Sequence, residues 1–314
     1  MDLDRNPHVV CVILNWNGWQ DTIACLEALK ECTYPNKTIV VVDNASTNDS
    51  VVKIRAADSN IVLLESLANL GFAGGNNIGI RYALAHSAEY IWLLNNDTKP
   101  APDALSALVE KAMSDKHIGA VASVCYYIDK PEDVQIWAGG RAYLWIGYTP
   151  YSTKPHHDAW FHWLNGTSLL VSGRAFQNAG LLDEGFFLYC EDSEFCLRLR
   201  KTGWKLAAAP DSRVLHKVSA STGGSKLLFD QYSTASGLRI LRLHSPAPYM
   251  AMPLFIFIRF SMRIIRFQHS RCASVWAGVR DYFRTPPDSR KVADLAYSRL
   301  MGKAPGTKED EKGR

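Results

Sequence analysis

Three short apolar runs alternate with two helix-spaced segments at the start of this chain, and that alternation limits its fold more than any other feature. Val9–Leu14, Ile39–Val42 and Ile61–Leu64 are short and rich in β-branched residues, so they read as buried strands. Between them, Trp19–Cys32 carries Ile23, Leu26 and Leu29 at helical spacing, and Ser50–Ala57 reads as a second helix. Strand–helix–strand–helix–strand order calls for a parallel sheet with helices on its faces. A further helix reaching Ala85 leads to Tyr90–Leu94, another apolar run too short for a helix.

Polar residues follow these strands, and ligands of open α/β sheets sit outside the carboxyl ends of strands. Asn15-Trp16-Asn17-Gly18 follows the first strand and Asp43-Asn44-Ala45-Ser46 the second. Asp43 there suits either a ribose or base edge, or a cap on its own turn. Asn95-Asn96-Asp97 ends the Tyr90 strand with one carboxylate flanked by amides. A carboxylate so placed suits a hard divalent cation that also grips phosphate oxygens. The expectation is a metal-dependent site for a nucleotide diphosphate compound. Asn69–Asn77 is glycine-rich and reads as a loop ahead of a helix near Ile78. Such a turn either lets backbone N–H groups approach an anion or is a tight turn without a ligand. It matches neither the G-x-G-x-x-G nor the G-x-x-x-x-G-K-[ST] phosphate signature.

Beyond Asp97, Pro102–Ser114 is expected to be helical and Gly119–Val124 a strand. Val134–Tyr151, rich in Trp, Tyr and Gly, reads as hairpin or loop over one side of the sheet, and His156-His157 as exposed loop. Trp163–Val171 is a turn and a strand, and Gly173–Ala179 a short helix. An aromatic run then feeds a helix beginning near Glu191, whose first turn is crowded by Glu191, Asp192 and Glu194. The helix dipole favours acids there, and a carboxylate so presented could also serve as a general base. Lys205–Ala208 and Arg213–Leu215 are strand-like, and His216 after the second is either structural or a metal ligand.

Charge divides the chain. Residues 1–238 hold 20 Lys+Arg against 25 Asp+Glu, whereas residues 239–314 hold 15 against 6. A basic end points to an anionic partner surface, either membrane or nucleic acid. In the apolar stretch Tyr249–Phe267, Arg259, Arg263 and Arg266 fall on one helical face. Its uninterrupted apolar part is too short to span a bilayer, and an arginine stripe on an apolar helix suits a membrane interface. The other reading is a helix packed on the rest of the protein, with its arginines in solvent. Met1–Arg5 lacks the basic and apolar regions of a signal peptide. The seven cysteines show no C-x-x-C spacing and read as reduced cytosolic thiols.

Taken in order, Val12-Ile13-Leu14-Asn15-Trp16-Asn17, Val42-Asp43-Asn44-Ala45-Ser46, Asn69-Leu70-Gly71-Phe72-Ala73-Gly74-Gly75-Asn76, Asn95-Asn96-Asp97 and Glu191-Asp192 with His216 resemble glycosyltransferase family 2. The likeness is nearest to its bacterial rhamnosyltransferase branch and covers about residues 8–240. It implies a GT-A fold: a mostly parallel α/β sheet flanked by helices, here followed by a helical extension. It also implies a nucleotide-sugar donor and inversion at the anomeric carbon. By motif match, Asp43 would hold the base or ribose, Asn15 would help hold the nucleotide, and Asn69, Gly71 and Gly74 would lie along the donor with Asn95 and Asn96. Asn95 stands where the family has the first Asp of its Asp-x-Asp metal motif, which leaves Asp97, with His216, to bind Mg²⁺ or Mn²⁺. Asp192 would be the base, with Glu191 its rival, and Trp163 and Asn165 would touch sugar.

The resulting expectation is a catalytic domain over 1–240, a basic amphipathic helical region over 241–304 and a polar tail over 305–314. The enzyme would transfer a sugar, rhamnose from dTDP-rhamnose being favoured among dTDP- and UDP-sugars, to a lipid-linked saccharide in surface polysaccharide synthesis. It would work in the cytoplasm at the inner membrane face, held to anionic lipid by its carboxyl-terminal helices. No nucleic-acid partner is expected. The alternatives are a sugar-nucleotide nucleotidyltransferase, which would want a basic glycine-rich signature near the first strand, and a non-catalytic sugar- or membrane-binding protein of the same fold.

Overall fold

The computed structural model describes residues 6–217 and 225–284. Strands β1 (Val9–Asn15), β2 (Lys37–Asp43) and β3 (Val62–Glu65) alternate with helices α1 (Trp19–Lys30) and α2 (Ser50–Ala57), and β4 (Tyr90–Asn95) follows α3 (Gly71–Ala85). These four strands run parallel in the order β3-β2-β1-β4. Their carboxyl ends meet in register, with Asn15 opposite Asp43 and Leu14 opposite Asn95. Polar residues that follow separate apolar runs in sequence thus share one sheet edge.

The second half of the sheet is mixed. After β5 (Thr98–Pro100) and α4 (Ala104–Met113) come β6 (Ile118–Tyr127), β7 (Val134–Trp137), β8 (Gly139–Gly140), β9 (Trp163–Leu164) and β10 (Ser168–Ser172). Strand β10 inserts antiparallel between β4 and β6. Then α5 (Gly173–Ala179) and α6 (Glu191–Lys201) lead to β11 (Lys205–His216), which runs parallel to β6 and antiparallel to the short β5. The two runs at Lys205–Ala208 and Arg213–Leu215 are one strand with an irregularity between Ala209 and Arg213. Each face of the sheet carries its own apolar core, one centred on Val12, Leu93 and Phe195, the other on Ile13, Trp92 and Leu108.

The glycine-rich stretch corrects the sequence reading. It is not a loop: α3 starts at Gly71 and contains Gly74, Gly75 and Gly79. A Cβ on Gly75 would lie 2.4 Å from Leu14, and one on Gly79 would lie 2.3 Å from Val12, so these glycines let the helix lie close against β1. Gly71 has φ +70°, and a Cβ there would meet the Phe187 carbonyl at 2.3 Å. Both constraints demand glycine.

Helices α7 (Lys226–His244), α8 (Pro248–Ile265) and α9 (Ser270–Arg284) pack around a small apolar core of Leu238, Leu241, Ala251, Phe255 and Val279. The arginine stripe lies on one face, as its spacing requires, but that face turns inward rather than toward solvent or lipid. Arg263 is buried and donates through Nε to Asp230 Oδ2 at 3.0 Å, while Arg259 Nη2 lies 2.7 Å from Ser233 Oγ. Only Arg266 faces out. The exposed side of α8 is instead apolar, with Tyr249, Phe257 and Ile265 all more than two-thirds exposed. With its arginines counted in, α8 is long and apolar enough to cross a membrane by length and composition alone, at mean hydropathy 1.3. The expected domain limit at residue 240 falls inside α7, and the tail over 305–314 lies outside the described residues.

Candidate active site

Two sets of predicted residues occupy adjoining ground at the carboxyl edge of the sheet. The first surrounds Asn15, which is fully buried. Its Nδ2 donates to Asp43 Oδ1 at 2.7 Å, and its Oδ1 accepts from Thr22 Oγ1 at 2.8 Å. Asp43, also buried, accepts from the Ser46 backbone N–H at 2.9 Å and from Ser46 Oγ at 2.6 Å. Asn44 links this cluster to α3, donating to Asn69 Oδ1 and to the Gly71 carbonyl, each at 3.0 Å. Asn96 donates to Thr22 Oγ1 at 3.0 Å. Asp43 thus does cap its own turn, and the amides around it hold one another in place.

The second set lines a cavity of 790 Å³ that includes Asn95, Asp97, Trp163, Asn165, Glu191, Asp192 and His216. Asn15, Asp43, Asn69, Gly71, Gly74 and Asn96 lie outside its wall. Strand pairing explains how distant residues converge. His216 ends β11 directly opposite Thr98, and the Lys217 N–H donates to the Asp97 carbonyl at 3.1 Å. The His216 Nε2 therefore lies 3.4 Å from Asp97 Oδ1, with Asp97 itself buried. Gln135, a residue that sequence reasoning missed, holds the other ring nitrogen at 2.6 Å and so fixes which edge of His216 faces Asp97. Its position on the Val134 hairpin, paired with β6, gave no hint of this in the sequence.

The turn before β10 lines the same cavity as Asp97 and His216. The Asn95 N–H donates to the Thr167 carbonyl at 2.9 Å, and the Gly166 N–H donates to Asp192 Oδ2 at 3.0 Å. Asn165 accepts from Thr167 and shapes this turn, and Trp163 Nε1 donates to the Arg141 carbonyl at 3.1 Å. The Asp97 loop and Asp192 are thereby both pinned to one tripeptide, Asn165-Gly166-Thr167.

Glu191 and Asp192 differ in support. Burial pushes both carboxyls up. For Glu191 the neighbouring Asp192 charge adds to that, and Glu191 Oε2 has no hydrogen-bond partner among the described residues. Asp192 Oδ1 accepts from the Ser193 backbone N–H at 2.6 Å, and these donors favour its anion. Asp192 is therefore the better supported of the two as a carboxylate anion. The third acid, Glu194, is structural: it pairs with Arg198 at 2.8 Å and with His244 at 3.1 Å. Just before the pair, Tyr189 and Cys190 both have positive φ, 71° and 64°. Two consecutive left-handed non-glycine residues are costly, and such outliers cluster at functional sites.

His156 and His157 lie elsewhere. His156 stacks on Trp160 with ring centroids 3.7 Å apart, and His157 caps a short 3₁₀ turn. All seven cysteines are free thiols. Among the described residues, no group of three or more His, Cys, Asp or Glu side chains could hold a metal unaided.

The half-parallel sheet, its flanking helices and the carboxylates beyond its strand ends are those of the GT-A class. The glycosyl transferase family 2 model matches residues 10–184, and the chain belongs to that family. It is 29% identical over 164 residues to the low-salt glycan biosynthesis hexosyltransferase Agl10 of Haloferax volcanii, spanning 52% of this chain and about half (53%) of that protein's length. Bacterial rhamnosyltransferases are also among its relatives. It is 28% identical to the N-acetylglucosaminyl-diphospho-decaprenol L-rhamnosyltransferase of Mycobacterium tuberculosis (63% of this chain, 72% of the relative). It is likewise 28% identical to the dTDP-rhamnosyl transferase RfbF of Shigella flexneri (68% and 70%). Among solved structures, a mannosyltransferase from Pyrobaculum calidifontis in complex with GDP-Man and Mn²⁺ shares the fold at TM-score 0.58 and 17% identity, covering 96% of this chain and 82% of that one.

Proposed function

We propose that this chain is an inverting glycosyltransferase that moves a sugar from a nucleotide-diphosphate donor to a lipid-linked saccharide acceptor in surface polysaccharide synthesis. Rhamnose from dTDP-rhamnose is the favoured donor, because relatives of this chain carry that activity in their names. One observation carries the reading: Asp97 with His216, and Asp192 with Glu191, line a single cavity. The Asn15–Asp43–Asn69 network beside it is the nucleotide side, with Asn95, Asn96, Gly71 and Gly74 along the donor. Trp163 and Asn165 contribute the sugar-facing wall.

Asp97 and His216 fit a divalent cation as a two-residue site. A buried carboxylate and an oriented imidazole nitrogen are proper donors, and the remaining ligands would have to come from the donor diphosphate or water. When bound there, Mg²⁺ or Mn²⁺ supplies charge neutralisation for the departing diphosphate. Asp192 accepts the proton of the attacking acceptor hydroxyl, a contribution of roughly 10²–10⁴-fold. Glu191, holding its proton, keeps a second negative charge away from the attacking oxygen. The Gly166 and Ser193 N–H groups keep the Asp192 carboxylate aimed.

Residues 1–240 are proposed as the catalytic domain and 241–304 as a helical region that touches lipid on the cytoplasmic membrane face. The exposed apolar side of α8 supports that contact better than the arginines do. Removing residues 246–284 should abolish sedimentation with anionic liposomes. The transfer reaction is tested by nucleoside diphosphate release from a panel of sugar nucleotides, with Mg²⁺, Mn²⁺ or EDTA and a lipid-linked saccharide. Release from dTDP-rhamnose that EDTA stops is the expected result. Formation of a sugar nucleotide from a nucleoside triphosphate and sugar 1-phosphate would overturn the reading in favour of a nucleotidyltransferase.

A further inference from the structure

Arg259 stands in the cavity wall in the company of Lys226. It belongs to a group of three arginines gathered on one buried carboxylate. Asp230 Oδ1 takes Arg263 Nη2 at 2.5 Å and Arg259 Nη2 at 3.4 Å, while Oδ2 takes Arg263 Nε at 3.0 Å and Arg271 Nε at 2.6 Å. Three guanidinium charges on one carboxylate leave an excess of two positive charges in a poorly solvated place. Arg263 and Arg271 use that carboxylate fully. Arg259 reaches it only at the longer distance, and its Nε is buried with no partner among the described residues. A buried, unpaired N–H on a cation lacks an acceptor, and the matching acceptor is a phosphate oxygen. Arg259 also lies within electrostatic reach of Cys190, the residue just before the Glu191–Asp192 pair.

The opposite face of the same helix is apolar and exposed, through Tyr249, Phe257 and Ile265. A ligand that joins a phosphate to a hydrocarbon chain matches both faces of α8. A nucleotide donor lacks the hydrocarbon chain and, on the reading above, carries its diphosphate to Asp97 and His216 and its base to the Asn15–Asp43 network. We propose that Arg259 and Lys226 form a subsite for the phosphate or diphosphate of a lipid-linked acceptor, positioning its saccharide toward Asp192. This rests on the transferase reading above, in that it assigns one wall of the same cavity to the acceptor.

The test is binding, by calorimetry, of geranylgeranyl diphosphate, geranylgeraniol and dTDP to the full chain and to Arg259→Gln and Lys226→Gln. The diphosphate should bind, the alcohol should bind at least tenfold more weakly, and Arg259→Gln should weaken the diphosphate at least tenfold. Lys226→Gln, an exposed change, should weaken it severalfold. Affinity for dTDP should stay within twofold in both variants. Unchanged diphosphate affinity in both variants overturns the proposal, as does an equal loss for dTDP, which would assign the arginines to the donor. If Arg259→Gln melts early, Lys226→Gln decides alone. Failure of the unaltered protein to bind dTDP, UDP or GDP would count against the transferase reading, whereas an Arg259-dependent diphosphate affinity would still uphold the subsite.

Discussion

The two sides of the site are built on opposite principles. On the Asn15–Asp43 side every named polar group has found a protein partner, and the amides and Ser46 hold Asp43 before any ligand arrives. On the Glu191–Arg259 side, buried polar atoms are left over: Glu191 Oε2 and Arg259 Nε lack partners among the described residues. Buried polar groups in native proteins are nearly always paired, so leftover ones ask for a ligand. One side is pre-formed and the other is completed by what binds it. The proposed division, with the nucleotide on the first side and the acceptor on the second, rests on that difference.

The largest effect expected from breaking this division is at Asp192. Asp192→Asn should retain nucleoside diphosphate affinity and lose 10²–10⁴-fold in turnover, as expected for a general base. Near-normal turnover would remove it from the reaction. Glu194→Gln strikes the helix that carries Asp192 through stability. Burial pushes the Glu194 carboxyl up, yet hydrogen bonds from His244 and Arg198 and the Arg198 charge hold it down, at about 2. Its folded-state value lies below its unfolded one, so its contribution is present above the ordinary Glu range and is lost as pH falls toward 2. Breaking such a buried pair costs about 3–5 kcal/mol, to be read from denaturant melts at pH 7. A smaller loss at pH 7 than at pH 3 would refute that account.

Asp43→Ala tests the pre-formed side. It should cost about 1–3 kcal/mol of stability through the unpaired Asn15 amide and weaken nucleoside diphosphate binding without changing affinity for a prenyl diphosphate. The smallest effect is expected at Glu191, where Gln copies the neutral acid: Glu191→Gln should keep turnover within a few-fold. The acid limb of the pH–rate profile should then lie above the ordinary Asp value in both proteins, because burial raises Asp192 itself. A limb that vanishes in Glu191→Gln would make Glu191 the base instead.

Much of this was legible in the sequence, for physical reasons that differ by element. The strands were readable because β-branched runs have few other uses, and Asp97 because a carboxylate closed such a run. The α3 start was hidden by its glycines, which looked like a turn until Val12 and Leu14 were seen pressed against them. Helical spacing placed Arg259 and Arg263 on one face but could not say which way that face pointed. Its direction depends on Asp230, 33 residues before Arg263 and on another helix. Gln135 was missed because only β-pairing brings it to His216.

The left-handed pair at Tyr189 and Cys190 has a consequence for where the working unit ends. That junction is gripped by α7, through Ser236 Oγ on the Leu188 carbonyl at 2.9 Å and through Phe229 and Tyr232 against Tyr189 and Phe187. The family match stops at residue 184, before the acid pair and its latch. A minimal enzyme cut from this chain must therefore keep α7 as a splint on the turn that carries Glu191 and Asp192, even if every contact with lipid were dispensable.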